Sequence, residues 1–141
     1  MPLFADLAAL QERFEERDLI QLTDQAQSGA IDTARVDKAI DKADALIKGY
    51  VAARHADVPA LAGHQILTEV ACDIAFADLW RSDQPEFVKT RRKEAIATLE
   101  GIAAGRIKLD NGTETAKPRP DGSILISGPD RRFGRAALDD Y

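Results

Sequence analysis

The chain of 141 residues has the length of one small domain, and its 45% hydrophobic and 30% charged residues are typical of a soluble globular protein. A formal net charge of -5 and a pI near 5.0 argue against a broad nucleic-acid-binding face, because such faces concentrate basic charge. The single cysteine, Cys72, excludes an internal disulfide. Its apolar neighbours predict a small buried side chain rather than a reactive thiol.

Two apolar clusters begin the chain. The first has the spacing of one face of a helix: Leu3, Leu7, Leu10 and Phe14. It predicts a short amphipathic helix over residues 3–16. A second apolar cluster follows at residues 19–24, and Ser28-Gly29 then gives a turn signal.

The next two predicted helices are separated by a proline. Asp32 is a candidate N-cap for a helix over residues 33–54, and Val58-Pro59 breaks the chain before a helix at about 64–81. Few charges lie between Ile66 and Trp80. The helix over 64–81 is therefore expected to be the central core element.

Pro85 suits the first turn of a fourth main helix. Its inward stripe consists of Val88, Ala95, Leu99 and Ile102. Gly101 and Gly105 mark its exit. The sequence thus predicts a mainly α fold, a small bundle of about four helices, with a helical body over residues 1–109.

Beyond Asp110 the composition changes to glycine, proline and scattered charge, which predicts an extended C-terminal arm over residues 110–141. Residues 124–126 could form one short strand, and because a lone strand needs a partner we expect a neighbouring chain to hold the arm. Cations and apolar anchors alternate as in a docking peptide, the alternative being a frayed terminus. The candidate docking residues are Ile124, Ile126, Arg131, Arg132, Phe133, Arg135, Leu138 and Tyr141.

No familiar catalytic or metal-binding constellation is present in the sequence. His55 and His64 have neither HxxxH nor HExxH spacing and are expected to be exposed loop histidines. Glycine-rich phosphate loops and nucleophile elbows are missing, and Glu15-Glu16 lies in charged surroundings. We expect a protein that is not an enzyme and binds neither a metal nor a cofactor, although an unfamiliar enzyme stays an alternative.

Charge is distributed unevenly along the chain. Residues 1–30 carry two basic and six acidic side chains, and residues 81–109 carry seven basic and four acidic ones. Arg91, Arg92 and Lys93 either cover apolar surface with their stems or form subunit-interface or phosphate contacts. Such asymmetry suits ring-like self-association, but a solvated surface gives the same pattern by chance.

The order and spacing of these segments over about residues 10–110 resemble a family of small head-to-tail neck proteins of Mu-like phages. Members of that family are similar in fold to head-tail connectors, also called head completion or adaptor proteins. The matching segments include Ile20-Gln21-Leu22-Thr23-Asp24, Ile31-Asp32, Gly49-Tyr50, Arg54, Val70-Ala71-Cys72-Asp73-Ile74-Ala75, Arg91 and Gly105. Arg131-Arg132-Phe133 and Leu138 look like the family's closing arm.

The resemblance implies a ring of identical subunits, expected to be a dodecamer, beneath the portal protein at the head-tail junction of the virion. The ring would extend the DNA channel and dock the next neck or tail-terminator protein. Packaged DNA would pass without sequence-specific binding, since channel carboxylates repel phosphate. The N-terminus lacks a basic leader before an apolar core, so we expect assembly in the host cytoplasm and no membrane partner. The alternative is a small helical nucleic-acid-binding or regulatory protein of a prophage.

Overall fold

A computed structural model describes residues 2–109. The elements are α1 (Leu7–Arg13), α2 (Glu16–Thr23), α3 (Thr33–Val51), a 3₁₀ turn (Val58–Leu61), α4 (Gln65–Leu79) and α5 (Glu86–Ala103). The mainly α fold class is confirmed for this part of the chain, which contains five α-helices and no strand. The predicted arm over 110–141, with its short strand, lies outside the described residues.

The N-terminal region contains two short helices where the sequence predicted one helix over 3–16. The Asp6 side chain accepts a hydrogen bond from Ala9 N at 2.8 Å, which caps α1 and starts it at Leu7. Phe14 then adopts an extended conformation and ends α1 after Arg13. The second apolar cluster of the sequence forms α2. The break turns the Phe14 ring into the core, where it is buried.

Two polar side chains attach these short helices to the body. Asp44, on α3 and only 4% exposed, accepts from Leu3 N at 2.9 Å and from Phe4 N at 3.1 Å. Its other oxygen lies 2.6 Å from Lys48 Nζ. Buried Thr23 donates to Leu19 O at 2.7 Å and accepts from Asp32 N at 3.1 Å. These bonds satisfy buried and partly buried backbone groups before α1 and between α2 and α3.

Helix α4 lies at the centre of the core, as predicted, and packs against α1, α3 and α5. Most of its side chains are buried, including Cys72, whose expected burial is confirmed. Arg35 near the start of α3 donates to Leu79 O at the end of α4 at 3.2 Å. Burial on nearly all sides explains why the α4 sequence carries so few charges.

The C-terminal end of α5 is closed by Gly105, which has a φ of +77°. Arg106 N donates to Gly101 O at 2.9 Å and Gly105 N donates to Ile102 O at 3.0 Å, the bond pair of a Schellman motif. Arg54 follows the end of α3 at Val51, and its side chain donates to the carbonyls of Ala103 and Ala104 at 3.2 and 2.8 Å. The sequence therefore predicted this exit correctly, but it missed the link to α3.

Candidate assembly surfaces

The three consecutive cations of α5 lie in two different environments. Successive residues of an α-helix are about 100° apart, so adjacent residues do not face the same way. The buried stripe of Val88 and Leu99 separates Arg91 on one flank of α5 from Arg92 on the other. The prediction from sequence grouped Arg91, Arg92 and Lys93 as a single cluster, whereas the helix places them on two different surfaces.

Arg91 contacts an aromatic cluster. Its guanidinium carbon lies 5.7 Å from the centroid of the Phe14 ring. The Phe14 ring stacks on Phe76 with centroids 3.9 Å apart and an interplanar angle of 6°. Phe76 meets Trp80 edge to face at 6.3 Å. A cation over an aromatic face stabilises the packing of α5 on the α1–α2 junction, so Arg91 has a role within the fold.

Arg92 and Lys93 line an open groove on the other flank of α5, which we call the α5 groove and whose volume is about 460 Å³. Its lining residues are Gln84, Lys89, Arg92, Lys93, Ile96, Ala97 and Glu100. Lys89, Ile96 and Glu100 were not among the predicted interface residues. Lys89 and Ile96 lie three or four residues from Arg92 and Lys93, and Glu100 lies four residues after Ile96. This helical spacing is the signal that could have found them.

The α5 groove combines unpaired positive charge with an apolar floor. Lys89 lies 3.9 Å from Glu86, an exposed and weak pair. Arg92 and Lys93 form no ion pair within residues 2–109. Ile96 and Ala97 lie between these cations and Glu100 in sequence and supply apolar contact area. Such a groove can bind carboxylates of a polypeptide through charge and apolar contact together, and it can also contact phosphate.

An acidic surface surrounds the α1–α2 junction. We define this acidic segment as residues 12–18, in which Glu12, Glu15, Glu16 and Asp18 are exposed. Among the described residues, none of these four carboxylates is in an ion pair. Arg13 is engaged elsewhere, since its Nε and Nη2 each lie 3.0 Å from an oxygen of Asp73 on α4. That hydrogen bond is the main reason why the pKa of Arg13 is raised.

The histidines differ from expectation. His55 is 2% exposed and neither of its ring nitrogens has a hydrogen-bond partner within the described range, so its prediction as an exposed loop residue is wrong. His64 is half-buried, and its Nδ1 also lacks a partner there. His55 N donates to Val51 O at 2.9 Å, which continues the helical turn and places His55 four residues after buried Val51. That spacing was the missed signal.

The remaining predictions concern metal binding, membrane contact and the C-terminal arm. Within residues 2–109, no group of three or more histidine, cysteine, aspartate or glutamate side chains is arranged to hold a metal ion. In the same range no helix has the length and apolar character needed to cross a bilayer. The predicted docking residues of the arm, from Ile124 to Tyr141, lie outside the described residues.

Comparison with known proteins adds an assignment that these surfaces cannot make alone. No curated protein matches the chain significantly. The family model described as Bacteriophage Mu, Gp36 matches residues 4–126, a range that includes most of the chain and the five helices found within residues 2–109. The predicted kinship with Mu-like phage proteins is thereby confirmed, and the chain belongs to the Bacteriophage Mu Gp36 family.

Proposed function

We propose that this protein is a structural head-tail connector, also called an adaptor or neck protein, of a tailed phage or phage-like particle. It forms a ring beneath the portal protein, extends the DNA channel, and docks the next neck or tail-terminator protein. The observation that carries the proposal is the match of the phage Mu family over residues 4–126. The role is structural rather than catalytic, and its location is the neck of the virion.

The described surfaces support an assembly role. Arg92 and Lys93 of the α5 groove and the four carboxylates of the acidic segment carry opposite charges, and none of them forms an ion pair within residues 2–109. Surfaces of this kind favour specific association because opposite charges attract and wrong pairings are repelled. A small helical body with two such surfaces suits repetition in a closed ring.

The C-terminal arm is the proposed docking element for a neighbouring chain. Removing residues 129–141 deletes the anchors Phe133 and Tyr141. We expect the truncated protein to keep the circular dichroism and melting temperature of a folded helical body but to be missing from purified particles. Incorporation at the normal level would refute the docking role of the arm, and loss of folding would assign it to the core.

The connector role is tested by deleting the gene from the phage or prophage that encodes it and imaging lysates by electron microscopy. We expect DNA-filled or leaking heads beside separate finished tails, because the joint between them is missing. Plasmid-borne wild-type gene should restore joined particles. Intact and infectious particles from the deletion strain would contradict the connector role.

A second candidate, a nucleic-acid-binding regulator of a prophage, is favoured by the cations of the α5 groove. Phosphate contacts release counterions, so binding through Lys89, Arg92 and Lys93 would weaken steeply as salt rises. Titration of labelled duplex DNA at two salt concentrations distinguishes the candidates. The connector proposal predicts no measurable specific binding, whereas salt-dependent binding that is lost in Arg92→Ala would favour the regulator.

A further inference from the structure

We propose that the α5 groove of one copy receives the acidic segment of a second copy of this chain, in a head-to-tail contact. The inference rests on the proposed connector function and adds to it the two surfaces that meet. The occupant is identified by charge, by apolar contact area and by the placement of the two surfaces on opposite flanks of α5.

The first argument is charge complementarity. Lys89, Arg92 and Lys93 present positive charge at the groove, while Glu12, Glu15 and Glu16 present negative charge on the acidic segment. The segment also contains two cations, Arg13, which is already bound to Asp73, and Arg17, which is exposed. Four exposed carboxylates against Arg17 leave the segment with an excess of negative charge. The segment therefore presents carboxylates that have no ion-pair partner within residues 2–109, and the groove presents cations.

The second argument is apolar contact. Phe87 is 56% exposed and lies one turn before Arg91, on the flank of α5 that faces the α1–α2 junction. An exposed phenylalanine beside a charged surface is typical of a contact site. The α5 groove offers Ile96 and Ala97 as its apolar floor. The α5 groove thus combines charge with apolar area, and Phe87 adds exposed apolar area on the Arg91 flank of α5.

The third argument is geometric, because the two surfaces lie on different flanks of α5, as a head-to-tail contact requires. Arg91 lies over Phe14, which directly precedes Glu15, so the acidic segment is on the Arg91 flank of α5. The groove is on the Arg92 flank, since Arg92 lies about 100° and Ile96 about 140° from Arg91 around the helix axis. A contact between two different surfaces leaves one of each free on every pair, and repetition of such a contact produces a ring or a filament.

The inference is tested by cross-linking purified full-length chains. Ala97→Cys places a thiol in the groove, and Glu12→Cys, on a chain with a size tag, places one on the acidic segment. Treatment of the mixture with a flexible bismaleimide should give mixed dimers in excess over both kinds of like dimer. The wild-type chain measures the background, because its Cys72 is buried. Replacing Ala97→Cys by Lys42→Cys on the exposed side of α3 is the matched control and should give few mixed dimers.

A charge swap then tests the specificity of the contact. Adding Arg92→Glu and Lys93→Glu to the groove chain should lower the mixed-dimer yield about tenfold or more, since like charges then meet. Adding Glu15→Lys and Glu16→Lys to the segment chain should restore it. All four side chains are exposed, and melting temperatures near that of the wild type establish that each variant is folded. The yield of the unswapped pair should also fall as salt screens the contact.

Each alternative result has a defined meaning. Absence of mixed dimers, equal yields from Lys42→Cys, an unchanged yield after charge reversal, or no recovery after the swap would each overturn the proposed contact. Like dimers of Ala97→Cys in excess would assign a twofold contact instead. Failure of the connector role is recognised separately, by infectious particles from the gene-deletion strain. The two proposals can therefore fail independently.

Discussion

The guanidinium group of Arg54 occupies the space that a β-carbon on residue 105 would need. An ideal Cβ built on Gly105 would lie 2.8 Å from Arg54 Nη1 and closer still to Nη2 and Cζ. The absence of a side chain at position 105 thus serves two purposes, since the backbone there also has a φ of +77°. Gly105 ends α5 and at the same time lets Arg54, which follows α3, donate to the carbonyls at that end.

Gly105→Ala should destabilise the protein more than Gly63→Ala does. Both glycines have positive φ, but a Cβ on Gly63 meets nothing within 4 Å, so Gly63→Ala should cost only the backbone strain of about 1 kcal/mol. Gly105→Ala adds about 1–2 kcal/mol because Arg54 must move and lose its hydrogen bonds. Urea unfolding measures both. In an Arg54→Ala background, Gly105→Ala should cost no more unfolding free energy than Gly63→Ala. A larger cost of Gly105→Ala in that background would contradict the steric explanation.

Asp44→Ala should lower the free energy of unfolding by about 2–4 kcal/mol, because one buried and one partly buried backbone N–H group lose their acceptor. Those groups belong to Leu3 and Phe4. Lys48→Ala is the control, since it removes only a half-exposed ion pair and should cost less than about 1 kcal/mol. Chemical denaturation is the measurement, and equal costs for the two variants would show that the ion pair dominates.

Arg91→Ala should destabilise the folded protein by about 0.5–1 kcal/mol, because it removes the cation over Phe14. Arg92→Ala, one residue along the chain, should change stability by less than about 0.5 kcal/mol. For cross-linking yield the proposed contact predicts the opposite ranking, with a larger loss for Arg92→Ala than for Arg91→Ala. In a Phe14→Leu background the cost of Arg91→Ala should shrink. Equal stability losses for the two arginine variants would refute the division of the cluster.

Cys72 should be unreactive toward thiol reagents in the folded protein. Its side chain is buried, and burial raises the pKa of the thiol to about 11. Both effects suppress the reactive thiolate at pH 8. Ellman's reagent should therefore detect no thiol under native conditions and one per chain in guanidinium chloride, because the sequence contains a single cysteine. Rapid native labelling would contradict the described burial.

Asp24 should make stability depend on pH in the acidic range. Hydrogen bonds from the backbone N–H groups of Ser28 and Gly29 lower the pKa of Asp24 below its ordinary value. A carboxylate whose pKa is lowered by folding stabilises the folded state fully at a pH above its unfolded-state pKa of about 4. That stabilisation is lost as the pH falls through the folded-state pKa. The difference in melting temperature between Asp24→Asn and the wild type should shrink as the pH is lowered from 7 to 2.5. Asp41→Asn, on the exposed side of α3, is the control for removal of one surface carboxylate.

Within the helices, local periodicity was sufficient for prediction. The apolar spacing and low charge of α4 identified it as the central core helix, and the stripes of α3 and α5 located both helices to within a few residues at their ends. This succeeds because burial of one face requires apolar residues every three or four positions, whichever neighbour supplies the contact. The short α1 and α2 were harder, because their boundary depends on Phe14 leaving the helix to stack on Phe76.

The sequence by itself thus determined the helical class, the central position of α4 and the burial of Cys72. Only the tertiary structure decided that Arg91 covers Phe14, that His55 is buried, and that Arg54 binds the end of α5. The physical reason is that helical periodicity states which side of a helix is buried, while the packing of distant segments determines what each side chain meets.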